Sequence, residues 1–528
     1  VLWEEKMARE FVCSYTTPIV KTTAGRIRGY RIDSTYTFHG IKYANAKRFQ
    51  MPTPPEPWEG VRDALSYGYV SPMLNRETAV GEIMVPHRYW PKDENCQYLN
   101  VWTQSLDPHA KKPVLVWFHG GGFSDGSSIE QVAYDGENLS KFGDVVVVSV
   151  NHRLNILGYL DLSPYGVEKY WNSANVGNAD LVASLQWIHD NIANFGGDPE
   201  NVTIFGQSGG GAKVTSLMQT PSADGLFHKG IVMSGIADRI MSFDNTDSRP
   251  LVDAILEELG ITAPDIEKLE TVPYETLAEA YKKVVPAIQA VGGYTGCAPI
   301  PNRFYIGDPR IVGFTEHAKT IPVIAGTVVA ELGGFAPTLR NRTSMSAEEQ
   351  IIYLKKYLGS SAEELAALFH SCYPDRPVTD LLLLDTFSRT ATKDFVRKKA
   401  AFSQSATYNY VFSFVFPMDD GKPAWHCSDL PFFFHNTDKV FICNVPDVSD
   451  QLEAQMSGVL ISFARTGIPS AEGLPEWTAC TPDNISTMIL DRECRIVHNF
   501  DDKLYEIYTP LAPDPHSLHA DEEVTVLH

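Results

Sequence analysis

Hydrophobic positions along this chain fall into short unbroken runs separated by stretches of helical period. Pro113-Val114-Leu115-Val116-Trp117-Phe118 is wholly apolar, and Val145-Val146-Val147-Val148 forms the centre of a second run over 144–151. Runs of this length without charge predict strands buried on both faces. Val202-Thr203-Ile204-Phe205, Gly230-Ile231-Val232-Met233-Ser234, residues 320–326 and Thr487-Met488-Ile489-Leu490 read the same way. Residues 183–195 carry Leu185, Ile188 and Ile192 at helical spacing and stop at Gly196-Gly197, with Pro199 just beyond. Strand, helix, strand, helix in this order predicts a large, mostly parallel, doubly wound α/β sheet.

Around that centre, β-rich residues 20–38 broken at Thr23-Ala24-Gly25 predict an edge hairpin, and residues 94–102 a further strand. Pro52, Pro54, Pro55 and Pro57 require extended loop, and residues 66–92 have no clear period, so they are expected to cover a face of the sheet as loop. Residues 236–320 and 346–410 are expected to be mostly helical, with 253–259 and 277–285 the clearest segments, and 457–465 a late helix. From Asp514 the tail turns polar and acidic. No repeat or low-complexity linker occurs. The expectation is one catalytic domain over 1–528, with helical insertions at about 236–320 and 335–420 forming the cap and pocket.

Composition narrows the function classes. A chain of 528 residues, 44% hydrophobic, can bury a large core. Lys and Arg number 44 against 65 Asp and Glu, a formal net charge of −21, which disfavours nucleic acid or an anionic membrane surface as partner. No apolar run approaches membrane-spanning length, and Val1-Leu2-Trp3-Glu4-Glu5-Lys6 lacks the apolar core of a signal peptide. A cytoplasmic enzyme is the expectation, with secretion after removal of a signal ahead of Val1 left open. The eight cysteines are scattered without a C-x-x-C pair, so neither a zinc site nor a redox motif is suggested, and pairing stays open. No metal or cofactor is called for.

The informative chemistry follows the run at 202–205. Gly206-Gln207-Ser208-Gly209-Gly210 matches the G-x-S-x-G elbow, in which a strand turns sharply into a helix and presents its central serine. Glycines two before and two after Ser208 let the two arms approach without side-chain clash. Upstream, the run at 113–118 ends in His119-Gly120-Gly121-Gly122-Phe123, whose glycines leave successive N–H groups unobstructed. Gly121 and Gly122, joined by Gly209, are the expected oxyanion donors.

The chain resembles the type-B carboxylesterases, the cholinesterase-like family of the α/β-hydrolase fold. Agreement runs from about Ile19 to Leu490, through Phe38-His39-Gly40-Ile41 with Tyr43-Ala44, Tyr98-Leu99-Asn100-Val101-Trp102 and the 119–123 loop. It continues through Asn151-His152-Arg153-Leu154, Asn175-Val176-Gly177 with Asp180, residues 191–199, the elbow and Phe463-Ala464-Arg465-Thr466-Gly467-Ile468-Pro469. The resemblance implies an acid in Gly326-Thr327-Val328-Val329-Ala330-Glu331 and a base in His426-Cys427-Ser428-Asp429-Leu430-Pro431. The order Ser208, Glu331, His426 is that of the fold. It further implies a structural ion pair between Glu94 and Arg153, and support of the triad by Ser234 and Gln207.

The sequence departs from the family at several points. Gln207 and Gly209 stand where Glu and Ala are frequent, Leu332 where Gly is common, and Lys42 where Pro is frequent. Gln207 removes a carboxylate near the triad, and Gly209 keeps the N–H that matters with less rigidity. Cys96 matches a cysteine that secreted relatives pair upstream; Cys13 lies too far back, so a free thiol is expected.

Other residues compete for these roles. His435 and His498 are alternative bases without the flanking pattern, and Asp429 is expected to be a helix cap or ion-pair partner. The function expected is hydrolysis of small-molecule carboxylic esters through an acyl-enzyme. An amidase, carbamate hydrolase or lipase with the same triad, and an inactive binding module on this fold, are the alternatives. Acyl and alcohol specificity falls to residues 66–92, 236–320 and 335–420, and the oligomeric state is left open.

Overall fold

The computed structural model describes residues 9–74, 84–237, 245–336, 339 and 342–518. A twelve-stranded sheet runs through it. In chain order its strands are β1 Phe11–Val12, β2 Tyr30–Ile32, β3 Thr35–Lys42, β4 Tyr98–Thr103, β5 Lys112–Phe118 and β6 Val146–Val150, followed by β7 Gly197–Gln207, β8 Lys229–Met233, β9 Val323–Val328, β10 Thr407–Phe412, β11 Ser486–Leu490 and β12 Arg495–His498. Their spatial order is β1-β2-β3-β4-β6-β5-β7-β8-β9-β10-β11-β12. From β6 across to β11 every neighbouring pair is parallel, while the outer strands pair antiparallel.

The apolar runs are buried on both faces because the side chains of a strand alternate across the sheet. Val114, Val116 and Phe118 of β5 join Val146 and Val148 of β6 and Val202 and Ile204 of β7 in one core. Leu115, Trp117, Val147 and Phe205 point the other way into a second core. Helix Val176–Asn191 packs against the first core, and Ser449–Thr466 against the second.

The hairpin expected near residue 20 forms from Ile19–Lys21 and Arg26–Arg28, in a separate three-stranded sheet with Val61–Asp63. The described parts of 66–92 carry only isolated bridges, and 75–83 lie outside the described residues, as does most of the acidic tail. The helices of 236–320 include Arg249–Glu258 and Tyr274–Ala290. The expectation for 346–410 needs correction. Its helices end at Ala400, and Thr407–Phe412 is an interior strand between β9 and β11. Asn409 interrupts the apolar pattern there, yet its buried amide donates to Ala325 O and accepts from Arg389 and Thr487. A polar residue is tolerated inside a sheet when its partners are built in.

The ion pair expected between Glu94 and Arg153 is also corrected. Arg153 is 2% exposed and binds Asp180, itself fully buried, at 2.6 and 2.8 Å. Glu94 lies nearer the surface and pairs with Arg48. A fully buried guanidinium is matched by a fully buried carboxylate, since neither charge is then left unpaired out of water. Arg153 also donates to the carbonyls of Lys47, Gln50 and Val176, which ties the 47–50 loop to helix Val176–Asn191. Asp180→Asn is therefore expected to cost about 3–5 kcal/mol of stability, read as a lower denaturant midpoint at unchanged m-value. An unaltered midpoint would show that Arg153 needs no carboxylate.

Candidate active site

The end of β7 and the start of helix Gly209–Met218 form the elbow. Ser208 sits between them at φ 57°, ψ −129°, a strained conformation for a residue with a side chain. A Cβ on Gly206 would lie 2.4 Å from the Gly210 carbonyl carbon, so the arms cross where only glycine fits. The 119–123 loop closes on the same point. A Cβ on Gly209 would meet Gly122 O at 2.2 Å, so the family's frequent alanine has no room here without a shift of the loop. The N–H groups of Gly121 and Gly122 donate to no other group among the described residues, and both glycines have positive φ.

Glu331 and His426 are brought together from the ends of two distant segments. His426 Nδ1 lies 2.5 Å from Glu331 Oε2, and the His426 backbone N–H donates to Glu331 O at 3.0 Å. The other carboxylate oxygen accepts from Val328 N–H, which fixes its orientation at the end of β9. Ser208, Gly121, Gly122 and His426 line one cavity of about 840 Å³. Met73, Val85, Trp90, Leu332 and Phe335 supply apolar walls to the same cavity, whose size suits a small organic ligand. Leu332, where the family often has glycine, is half exposed and adds one of those walls.

Gln207 is buried beneath this cluster. Its side-chain nitrogen lies 3.1 Å from His426 Nε2 and 3.3 Å from Nδ1, while its oxygen accepts from the Cys427 thiol. Ser234, at the end of β8 next to the Ser208 strand, has a buried hydroxyl with no partner among the described residues, so it gives no hydrogen bond to Glu331. Its backbone N–H donates to Gly326 O and continues the sheet. His435 stacks on Phe142 and contacts Ser457, and the exposed His498 contacts Asn484; neither approaches the cavity. Asp429 stands at the N-cap position of the short helix Leu430–Phe433, and its backbone carbonyl accepts from Phe433 N–H, but its carboxylate makes no cap bond. It is buried, and its carboxylate accepts from Tyr410 OH at 2.9 Å.

Electrostatics separates the acidic groups. Burial, reinforced by the charge of Glu331, pushes Asp385 and Asp429 up to about 7, so each is only partly ionised near neutral pH. Burial alone would lower His426, but the charge and hydrogen bond of Glu331 outweigh it and raise the imidazole above its ordinary value, with smaller help from Asp429 and Asp385. Asp385, held by the backbone N–H groups of residues 387–389, escaped the sequence reading because nothing local marks it. Among the described residues, no group of three or more His, Cys, Asp or Glu is placed to hold a metal ion. Nor is any helix among them long and apolar enough to cross a membrane.

Comparison with known proteins matches residues 16–507 to the model of the Carboxylesterase family. A para-nitrobenzyl esterase of Bacillus subtilis is 33% identical over 497 residues, covering 91% of this chain and 96% of that protein. A solved esterase from anaerobic Clostridium hathewayi, described as able to hydrolyse aliphatic aromatic polyesters, is 55% identical. It superposes with a TM-score of 0.93 over 96% of this chain and 100% of its own. A solved PNB esterase gives a TM-score of 0.72 at 30% identity, covering 93% and 99% of the two chains. With the twelve-stranded sheet and the elbow, these findings establish that the chain belongs to the carboxylesterase family and is a carboxylic ester hydrolase of the α/β-hydrolase fold.

Proposed function

We propose that Ser208 is the nucleophile, His426 the general base and Glu331 the acid that orients it, and that the substrates are small esters with an aromatic group on one side. The observation that carries the triad is the 2.5 Å contact between His426 and Glu331 at the wall of the cavity into which Ser208 opens. His426 takes the Ser208 proton as the hydroxyl attacks the ester carbonyl, and Glu331 stabilises the imidazolium that forms. The N–H groups of Gly121, Gly122 and Gly209 receive the oxyanion, each contributing about 3 kcal/mol. His426 then protonates the leaving alkoxide, and water repeats the sequence on the acyl-enzyme.

The aromatic preference is supported by Tyr89 and Trp90 at the exposed side of the cavity and by the Clostridium hathewayi esterase's action on aliphatic aromatic polyesters. A cytoplasmic location belongs to the same proposal, supported by the free thiols at all eight cysteines. The experiment is a panel of chromogenic alkyl and aryl esters, with amides beside them, followed by labelling with a fluorophosphonate and peptide mapping. The label is expected on Ser208, with aryl esters hydrolysed fastest. Hydrolysis without label at Ser208 would refute the nucleophile, faster amide turnover would favour an amidase, and no turnover of any ester would favour a binding module.

A further inference from the structure

Lys213 is the most unusual charged residue near this site. It lies in helix Gly209–Met218, just beyond Ser208, and is completely buried. It makes no ion pair among the described residues, unlike the buried Lys393, which is matched by Asp501. Unpaired buried lysines are rare, because the ammonium loses its hydration. Burial pushes the amine down to about 7, opposed only by the charge of Glu130. Its Nζ donates to His119 O at 2.8 Å and stands 5.9 Å from the centre of the Phe123 ring. His119 and Phe123 are the two ends of the glycine loop that carries Gly121 and Gly122. Glycines offer no side chain for packing, so the loop is held through its backbone: His119 O accepts from Lys213, and Gly121 O from the Ser124 and Asp125 N–H groups.

We propose that Lys213 is a positioning residue that ties the His119 end of the oxyanion loop to the helix bearing Ser208, and so fixes the Gly121 and Gly122 N–H groups relative to the nucleophile. This rests on the function proposed above. Neutral amine and ammonium both donate N–H to a carbonyl, so the bond to His119 O holds in either protonation state, whereas the contact with the Phe123 ring face belongs to the ammonium. Its loss would act on the transition state, where the oxyanion exists, and leave ground-state binding alone. Misplacement of a reacting group by about 1 Å costs roughly 100-fold.

The test is Lys213→Met, which keeps the length and removes the donor, compared with Lys213→Gln, which keeps a shorter donor, each checked by thermal melting. For Lys213→Met, kcat is expected to fall about 10–100-fold with KM within about twofold of wild type. The affinity for an aryl trifluoromethyl ketone, which forms an oxyanion adduct, should fall by the same factor as kcat/KM. The affinity for the unreactive methyl ketone should not change, and Lys213→Gln should lie between the two. A kcat within twofold of wild type, or equal losses for both ketones, would overturn this role. If Lys213→Met does not fold, Lys213→Gln decides by the same readouts. Ser208→Ala, run alongside, separates the failures: an inactive Ser208→Ala beside an unimpaired Lys213→Met sinks the positioning role alone, whereas a fully active Ser208→Ala sinks the proposed nucleophile.

Discussion

Ser208→Ala is expected to lower kcat for any ester by roughly 10⁵–10⁶-fold while leaving KM within a few-fold of wild type. At about 1.4 kcal/mol per decade, that is about 7–8 kcal/mol of transition-state stabilisation carried through one oxygen atom. The expected effect is so large because the residues of the proposed triad act as a unit. Without the hydroxyl, His426 has no proton to take and Glu331 no imidazolium to stabilise, so only the loop donors and the cavity remain. The split between kcat and KM follows from the geometry. The cavity walls at Val85, Trp90 and Phe335 do not involve the Ser208 side chain, so ground-state binding survives. The backbone at φ 57° is imposed by the crossing at Gly206 and Gly210 and is unaffected by removing Oγ. Single-turnover kinetics on a chromogenic ester check both halves, and a kcat reduced less than tenfold would mean that another residue attacks the carbonyl.

How much of this was legible along the chain depends on how local each feature is. The runs at 114–118 and 145–148 announce themselves because an interior parallel strand has no polar face. Thr407–Phe412 occupies an equally interior position but hides it, since Asn409 satisfies its amide with Ala325, Arg389 and Thr487, which lie far off in sequence. The elbow and the glycine loop are local backbone devices and could be read from a few residues. The pairing of Glu331 with His426, 95 residues apart, became legible only through family resemblance. Where resemblance pointed to Glu94 for Arg153, depth of burial selected Asp180 instead. Lys213 shows as one charge inside a run of small and apolar residues, but its acceptor is 94 residues upstream, and no periodicity carries that information.

Glu331→Gln provides the second large effect and a pH signature that mere loss of packing would not produce. Glutamine keeps the volume and can still accept from Val328 N–H, so the fold of the segment is retained. It removes the charge that favours imidazolium and no longer enforces the tautomer with the proton on Nδ1, for which a loss of about 10⁴ in kcat is expected. In wild type the imidazole must be neutral to act as base, and its value is raised, so kcat/KM should climb with pH through a midpoint above 6.5. In Glu331→Gln the opposing burial is left in place, and the midpoint should move down. Stability runs the other way. A raised imidazole contributes stability that is fully present below about 6.5, its ordinary unfolded value, and is lost as pH rises through the folded value. Wild type should therefore lose some stability over the pH window in which it gains activity, and Glu331→Gln should lose that opposition. Rate profiles and denaturant midpoints measured over the same pH range check both curves. An activity midpoint that stays in place when the carboxylate is removed would mean that Glu331 is not what holds the base, leaving Asp385 or Asp429 to account for the raised imidazole.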